Sequence, residues 1–404
     1  MAISQITTQI IASIIFLIKQ RELKPSRIKL LVFTGTVGKT TLRDAVTFTL
    51  KGMGYKVESN DLGYSNEIGI LLTALGIAKF SVKNPFDWLN LLRAKNNKER
   101  FVCIELGADF YHDIPWFLKH FIPFAVFISG IAEKDWADKI EKTSEGRKKL
   151  LESIPEAGFI VYNMDDSPTK RLVETVNIQA RKISFSIANK DASAYAHRWS
   201  KNIFSLPLEK FFHKEELVEI ATNERHHEIL LNRPIFEPQL YALLAAIGFS
   251  AVLIHGRIPD KLLDNYQFVP QRLQFSKAKN SAILLEDSYK ATPLCTFWLL
   301  ETVANMRAQK KVLIITEMRP LMINSKYFYE KLANMMRFID MVYFLGPTEC
   351  WRKIATINNK VEHITMADYP MIAARIIKQT DDNSLILLKG SFRYQLDNLK
   401  RLLI

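Results

Sequence analysis

Ile28-Lys29-Leu30-Leu31-Val32-Phe33, followed by Thr34-Gly35-Thr36-Val37-Gly38-Lys39-Thr40-Thr41, is the stretch that decides the fold. Ile28–Phe33 is an apolar run of strand length. Thr40–Lys51 has helical periodicity and ends near Gly52 and Gly54. Strand, glycine loop and helix in this order form a phosphate cradle, expected here to hold ATP. Gly35 and Gly38 let backbone N–H groups turn inward, and the helix presents its positive end. Lys39 is placed to reach the terminal phosphates and the Thr40 hydroxyl to ligate Mg²⁺, with Thr36 and Thr41 completing the loop. The pattern departs from G-x-x-x-x-G-K-[ST] because Phe33 stands five positions before Gly38. The competing reading is a glycine turn carrying an exposed lysine.

Outward from the loop, buried strands are expected at Phe101–Leu106, Phe124–Ser129 and Gly158–Asn163, separated by helices. This alternation predicts a parallel sheet covered on both faces. Short alternating segments, among them Lys182–Ile187 and His227–Leu231, predict a small, mostly antiparallel appendage at about 181–235. Pro238–His255 reads as an apolar helix. A second α/β unit starts near Pro270, with strands expected at Ala282–Glu286, Lys311–Ile315, Met341–Phe344 and Ser384–Leu388. The expected class is therefore α/β. It comprises an N-terminal helical segment (1–27), a central P-loop parallel-sheet ATPase domain (28–265) and a C-terminal Rossmann-like domain (266–404). A length of 404 residues suits such a multi-domain chain.

The net charge of +13 favours anionic partners without choosing among them. No recognition helix or aromatic–basic motif points to nucleic acid, so none is expected as a partner. Cys103, Cys295 and Cys350 share no pairing or metal-ligand spacing, which fits reduced thiols in a cytoplasmic protein. Residues 1–18 carry no charge, and Ile3, Ile6, Ile10, Ile14 and Leu17 recur at helical spacing. They predict an amphipathic helix that packs on protein or meets a membrane surface. The apolar stretch is too diluted for a full span.

Glu105 closes an expected strand and is a candidate Mg²⁺ ligand, since the C-terminal ends of parallel strands converge on the ligand crevice. Asn66 and Glu67 form a polar pair entering an apolar helix, where a helix cap is the simplest reading.

These motifs together resemble the Mur ligases. T-G-T-V-G-K-T-T is followed in order by S-N-E-I-G (65–69), I-E-L-G (104–107) and Y-N-M-D-D-S-P (162–168). Val269-Pro270-Gln271-Arg272-Leu273-Gln274, Glu286-Asp287-Ser288-Tyr289-Lys290-Ala291-Thr292-Pro293 and Lys389-Gly390-Ser391 are similar to motifs of the UDP-N-acetylmuramoyl-tripeptide:D-alanyl-D-alanine ligase branch. The resemblance runs from about residue 28 to 404. It implies an ATP-dependent ligase joining a small-molecule or peptidyl carboxylate to an amine through an acyl phosphate, in cell-wall or related polymer synthesis.

By that resemblance, Lys39 and Thr40 hold phosphate and Mg²⁺, Glu105 binds metal and Asn66 belongs to the nucleotide site. Arg272 contacts the phosphates, and Asp287 and Tyr289 lie near the nucleotide. Lys290, Lys389 and Ser391 lie on the substrate side.

Some positions differ from the family pattern. The loop already begins at Thr34, so the family's N-terminal UDP-binding domain is expected to be lacking. Arg147 falls where the family often carries a carbamylated lysine. Its permanent charge cannot form a carbamate but would neutralise phosphate in place of a second metal. Asp135 takes the place of a metal-binding histidine and remains a candidate Mg²⁺ ligand. Pro238, Gln239 and Ala242 replace polar residues of the base-binding helix. These changes keep a second reading open, in which the chain is a non-catalytic ATP-binding regulatory or scaffold module.

Overall fold

The computed structural model describes residues 5–59, 66–77, 79–93, 99–106, 113–131, 137–200, 207–208, 215–223, 225–254, 258–264, 266–318 and 325–404. The chain divides into two units. The first comprises Met1–Trp199, Leu217–Leu230 and Glu237–Asp264, and the second Ser200–Glu216, Leu231–Phe236 and Asn265–Ile404.

The first unit is built on β1 (Ile28–Thr34), β2 (Val57–Ser59), β3 (Arg100–Glu105), β4 (Ala125–Ile128), β5 (Phe159–Asn163), β6 (Arg181–Ser186), β7 (Ala194–Arg198), β8 (Glu216–Thr222) and β9 (His226–Leu231). Their order across the sheet is β2-β3-β1-β4-β5-β6-β7-β8-β9. Pairing is parallel as far as β7 and antiparallel between β7 and β8. The apolar runs of β1, β3 and β4 are buried almost throughout, as strands covered on both faces must be. The seven helices α1 (Gln5–Lys19), α2 (Lys39–Gly52), α3 (Glu67–Leu75), α4 (Pro85–Arg93), α5 (Asp113–His120), α6 (Ala137–Glu152) and α7 (Ser167–Thr175) precede the apolar α8 (Glu237–Leu253). α8 packs on α2, and its Phe249 meets Phe127 and Phe159 edge-on.

The segment expected as a small, mostly antiparallel appendage at about 181–235 is continuous with the main sheet. Crossover through α7 brings Arg181–Ser186 alongside β5 in parallel, burying Ile183 and Phe185, and antiparallel pairing begins only at β8. In α1, the stripe Ile10, Ile14 and Leu17 faces outward at 56, 44 and 64 % exposure. Ala12 and Ile15 are buried instead, with Ile11 and Phe16 packed against the same core. Both faces of α1 are apolar, so spacing alone identified a stripe but not the packed one.

The second unit orders β10 (Gln274–Lys277), β11 (Ile283–Asp287), β12 (Lys310–Thr316), β13 (Met341–Leu345), β14 (Val361–Ile364) and β15 (Ser384–Lys389) as β10-β11-β15-β12-β13-β14. β10 is antiparallel and the others are parallel. The helices are α9 (Pro293–Ala304), α10 (Ser325–Met335), α11 (Thr348–Ala355), α12 (Tyr369–Gln379) and α13 (Leu396–Leu403). Register places Asp287 opposite Lys389 where β11 and β15 end.

Candidate functional site

The predicted residues fall into two sets, one in each unit. In the first unit, β1 ends at Thr34 and α2 begins at Lys39, so the turn between them must reverse direction tightly. Gly35 at φ +130° and Gly38 at φ +86° supply that turn. A Cβ on Gly35 would lie 2.3 Å from Ser129 Oγ, so the close approach of these two loops requires glycine. Ser129 fixes the loop from the end of β4 by donating to the Val37 carbonyl at 2.5 Å, while Thr36 N–H donates to the Gly130 carbonyl at 2.7 Å.

Lys39 folds over this loop and donates from Nζ to the Gly35 carbonyl at 2.6 Å. Thr40, one residue into α2, donates to Glu105 Oε2 at 3.2 Å. The other carboxylate oxygen of Glu105 pairs with Arg43 at 3.1 Å. Lys39, Thr40 and Glu105 are thus brought together, with Gly35, Thr36, Gly38 and Thr41 in the same loop and first helical turn. Arg43 was not predicted. The available signal was a cation four residues beyond Lys39 on the buried face of α2.

The 162–168 motif organises the neighbouring loop. Asp166 caps α7 through Thr169 N–H at 3.0 Å and accepts from Ile131 N–H at 3.0 Å, tying α7 to the turn after β4. Asp165 accepts from Ile187 N–H at 2.7 Å and Tyr241 Oη at 3.0 Å, and from the Ser186 hydroxyl. Burial, then the Asp165 carboxylate, pushes the Tyr241 phenol above its usual range.

Asn66 is an N-cap: its side chain accepts from Gly69 N–H at 2.9 Å. Glu67 is buried and accepts from Gln9 of α1 at 2.9 Å. Arg147 lies on α6, 5 % exposed. Asp135 lies outside the described residues.

In the second unit, Gln271 and Leu273 take left-handed backbone angles, φ +60° and +49°, on either side of Arg272. Such angles are costly for residues with a Cβ, so the surroundings must hold them. Ser288 and Tyr289 N–H groups donate to the Gln271 carbonyl, and Gln274 Nε2 donates to the carbonyls of Phe268, Val269 and Arg272. The Arg272 guanidinium then sits 4.4 Å from the centre of the Tyr289 ring.

Lys389 is 1 % exposed and donates to Asp287 Oδ2, to the Lys290 carbonyl at 2.9 Å and to Cys295 Sγ at 3.2 Å. Burial works against its charge, but attraction to Asp287 and Cys295 outweighs that and raises its pKa. Ser391 N–H donates to Thr316 Oγ1 at 3.0 Å. Glu286, buried beside Asp287, accepts from Ser288 Oγ at 2.6 Å and Lys400 at 2.7 Å. Lys389, Asp287 and the Lys290 carbonyl therefore form one hydrogen-bonded group and Arg272 and Tyr289 a separate cation–ring pair, while Ser391 bonds to Thr316.

Known proteins are similar to this chain in sequence and in fold. A family profile described as the Mur ligase middle domain matches residues 33–225. The UDP-N-acetylmuramoyl-tripeptide–D-alanyl-D-alanine ligase of Rickettsia prowazekii is 21 % identical over 381 residues, spanning 93 % of this chain and 78 % of its own. The enzyme of that name from Buchnera aphidicola is 22 % identical, spanning 84 % of this chain and 69 % of its own. In fold, the chain is similar to the MurF ligase of Thermotoga maritima, solved in complex with ADP. The TM-score is 0.74 at 17 % identity, over 98 % of this chain and 83 % of that one. Residues 33–225 thus match the Mur ligase middle domain, and the chain is similar over most of its length to UDP-N-acetylmuramoyl-tripeptide–D-alanyl-D-alanine ligases.

Proposed function

We propose that the chain is an ATP-dependent carboxylate–amine ligase that forms an amide bond in peptidoglycan-precursor or related polymer synthesis. The observation that carries this reading is the Lys39–Thr40–Glu105 cluster at a glycine loop within a Mur ligase middle domain. ATP is a substrate. Its phosphate oxygens replace the Gly35 carbonyl as acceptors for Lys39, and the N–H groups at the start of α2 face the same charge.

Thr40 Oγ1 and Glu105 Oε2 are hard oxygen donors 3.2 Å apart. This pair fits Mg²⁺, with phosphate and water supplying further oxygens. Bound there, Mg²⁺ would neutralise phosphate charge.

A substrate carboxylate oxygen attacks the terminal phosphorus, the bond to ADP breaks, and an acyl phosphate results. The amine nitrogen then attacks the acyl carbon, phosphate leaves, and the nitrogen loses a proton. The chain contributes orientation and charge stabilisation. Lys39 grips phosphate, and Arg147 supplies a permanent positive charge where a carbamate would otherwise hold metal. Lys389 acts as a positioning residue, since its ammonium is committed to Asp287, Lys290 and Cys295.

Phosphate release should require ATP, Mg²⁺, a carboxylate acceptor and an amine together, tested against panels of cell-wall and poly-amino-acid precursors. Lys39→Ala serves as the control. The buried Arg147 favours one alternative, a non-catalytic ATP-binding module. Tight ATP binding without phosphate release under every substrate pair would select it.

A further inference from the structure

α1 exposes an uncharged apolar stripe. Ile10, Ile14, Leu17 and Ile18 are 56, 44, 64 and 43 % exposed, and the first charge on the helix is Lys19. The helix is held firmly from behind. Ala12 and Ile15 are fully buried, Phe16 meets His120 and Phe121 edge-on, and Gln9 donates to Glu67. Lys19 Nζ donates to the Leu92 carbonyl at 3.0 Å, which joins the C-terminal ends of α1 and α4. α4 adds a second exposed apolar row, Phe86, Leu89 and Leu92, at 72, 40 and 52 %. Two neighbouring helices thus leave seven large apolar side chains in solvent on a fixed scaffold.

The flanks of this surface are basic. Exposed Arg21 and Lys24 follow α1, Lys79 and Lys83 precede α4, Arg93 ends α4, and Lys119 lies in the last turn of α5. Glu22 follows α1 and Asp87 lies in α4, while Glu67, which accepts from Gln9, is buried. Asp87 is turned toward its own loop, accepting from Ser81 N–H at 2.8 Å. Apolar ridges bordered by cations match the interface of an anionic bilayer, where apolar side chains enter the acyl boundary and cations meet headgroups.

A second copy of the chain fits poorly. A two-fold contact through this face would bring like-charged rims together. Nor is a span involved, because α1 is about 22 Å long against a hydrocarbon core of about 30 Å. No described helix is long and apolar enough to cross a membrane.

We propose that the α1–α4 face is an interfacial docking surface for anionic membrane lipid. The protein should co-sediment with vesicles containing phosphatidylglycerol, bind pure phosphatidylcholine vesicles more weakly, and lose affinity as salt rises. Ile14→Glu with Leu17→Glu should cut binding at least about tenfold, and Phe86→Ser should weaken it in an independent helix. Unchanged melting temperatures would show that the variants fold.

Failure of the wild type to bind anionic vesicles would overturn the proposal, as would full binding by the folded variants. So would concentration-dependent dimerisation lost in the double variant without vesicle binding, which would assign the face to self-association.

Discussion

Thr40 donates its hydroxyl to Glu105 at 3.2 Å, joining the first turn of α2 to the end of β3 across 65 residues. Arg43 holds the other oxygen of the same carboxylate, so Glu105 is oriented from two points one turn apart on α2. On the ligase reading, Glu105→Gln should keep the fold and lower turnover by about 10²-fold or more, because a neutral amide is a poor Mg²⁺ ligand. Glu105→Ala should also lower stability by leaving the Arg43 guanidinium, itself 7 % exposed, without its carboxylate partner. Thermal melts beside phosphate-release assays separate the two effects. Equal turnover by wild type and Glu105→Gln would remove Glu105 from the mechanism.

Gly35 should tolerate no side chain. Gly35→Ala places a Cβ 2.3 Å from Ser129 Oγ and also imposes φ +130° on an L-residue. A loss of about 1–3 kcal/mol in stability, with weakened ATP-analogue binding, is expected. Ser129→Gly in the same chain should restore only part of it, since it removes the clash but not the backbone strain. Complete restoration would show that the contact alone mattered.

How far the sequence was legible depended on whether the signal was local. The phosphate loop was readable because β1, the two glycines and α2 are contiguous, and the parallel strands because their apolar runs are buried on both faces. Pairing across distance left no local mark. Arg43 reads as an ordinary helical arginine until β3 brings Glu105 beside it, and Ser129 as a strand end until its hydroxyl meets Val37. The 181–235 segment misled because β6 has the length of a hairpin strand, while the α7 crossover makes it parallel. α1 carries two apolar stripes, and its spacing alone left open which of them packs on the core. Asn66 shows the opposite case, since its N-cap role follows from its immediate neighbours.

Removing Lys389 should damage the second unit more than a surface lysine could. Lys389→Met leaves Asp287 without its ammonium partner and vacates donors to Lys290 and Cys295. The expected loss is about 3–5 kcal/mol, typical of breaking one side of a buried pair. Lys389→Met combined with Asp287→Asn should cost less than the two single changes summed. Additive losses in urea unfolding would show that the pair does not act as a unit.

His227 should make stability depend on pH below neutrality. Burial lowers its pKa first, with Arg225 and His226 acting in the same direction and Asp260 opposing them. Its Nε2 has no hydrogen-bond partner among the described residues, so little stabilises an added proton in the folded state. With a folded pKa below the unfolded value of about 6.5, the unfolded chain binds more protons as pH falls through this region. The contribution is fully present above about pH 6.5 and is lost on acidification through the lower folded pKa. His227→Gln should therefore flatten the fall in melting temperature between about pH 7.5 and 5.5, leaving the slope due to other groups. Parallel melting curves for wild type and variant across that interval would exclude His227 as a source of the pH dependence.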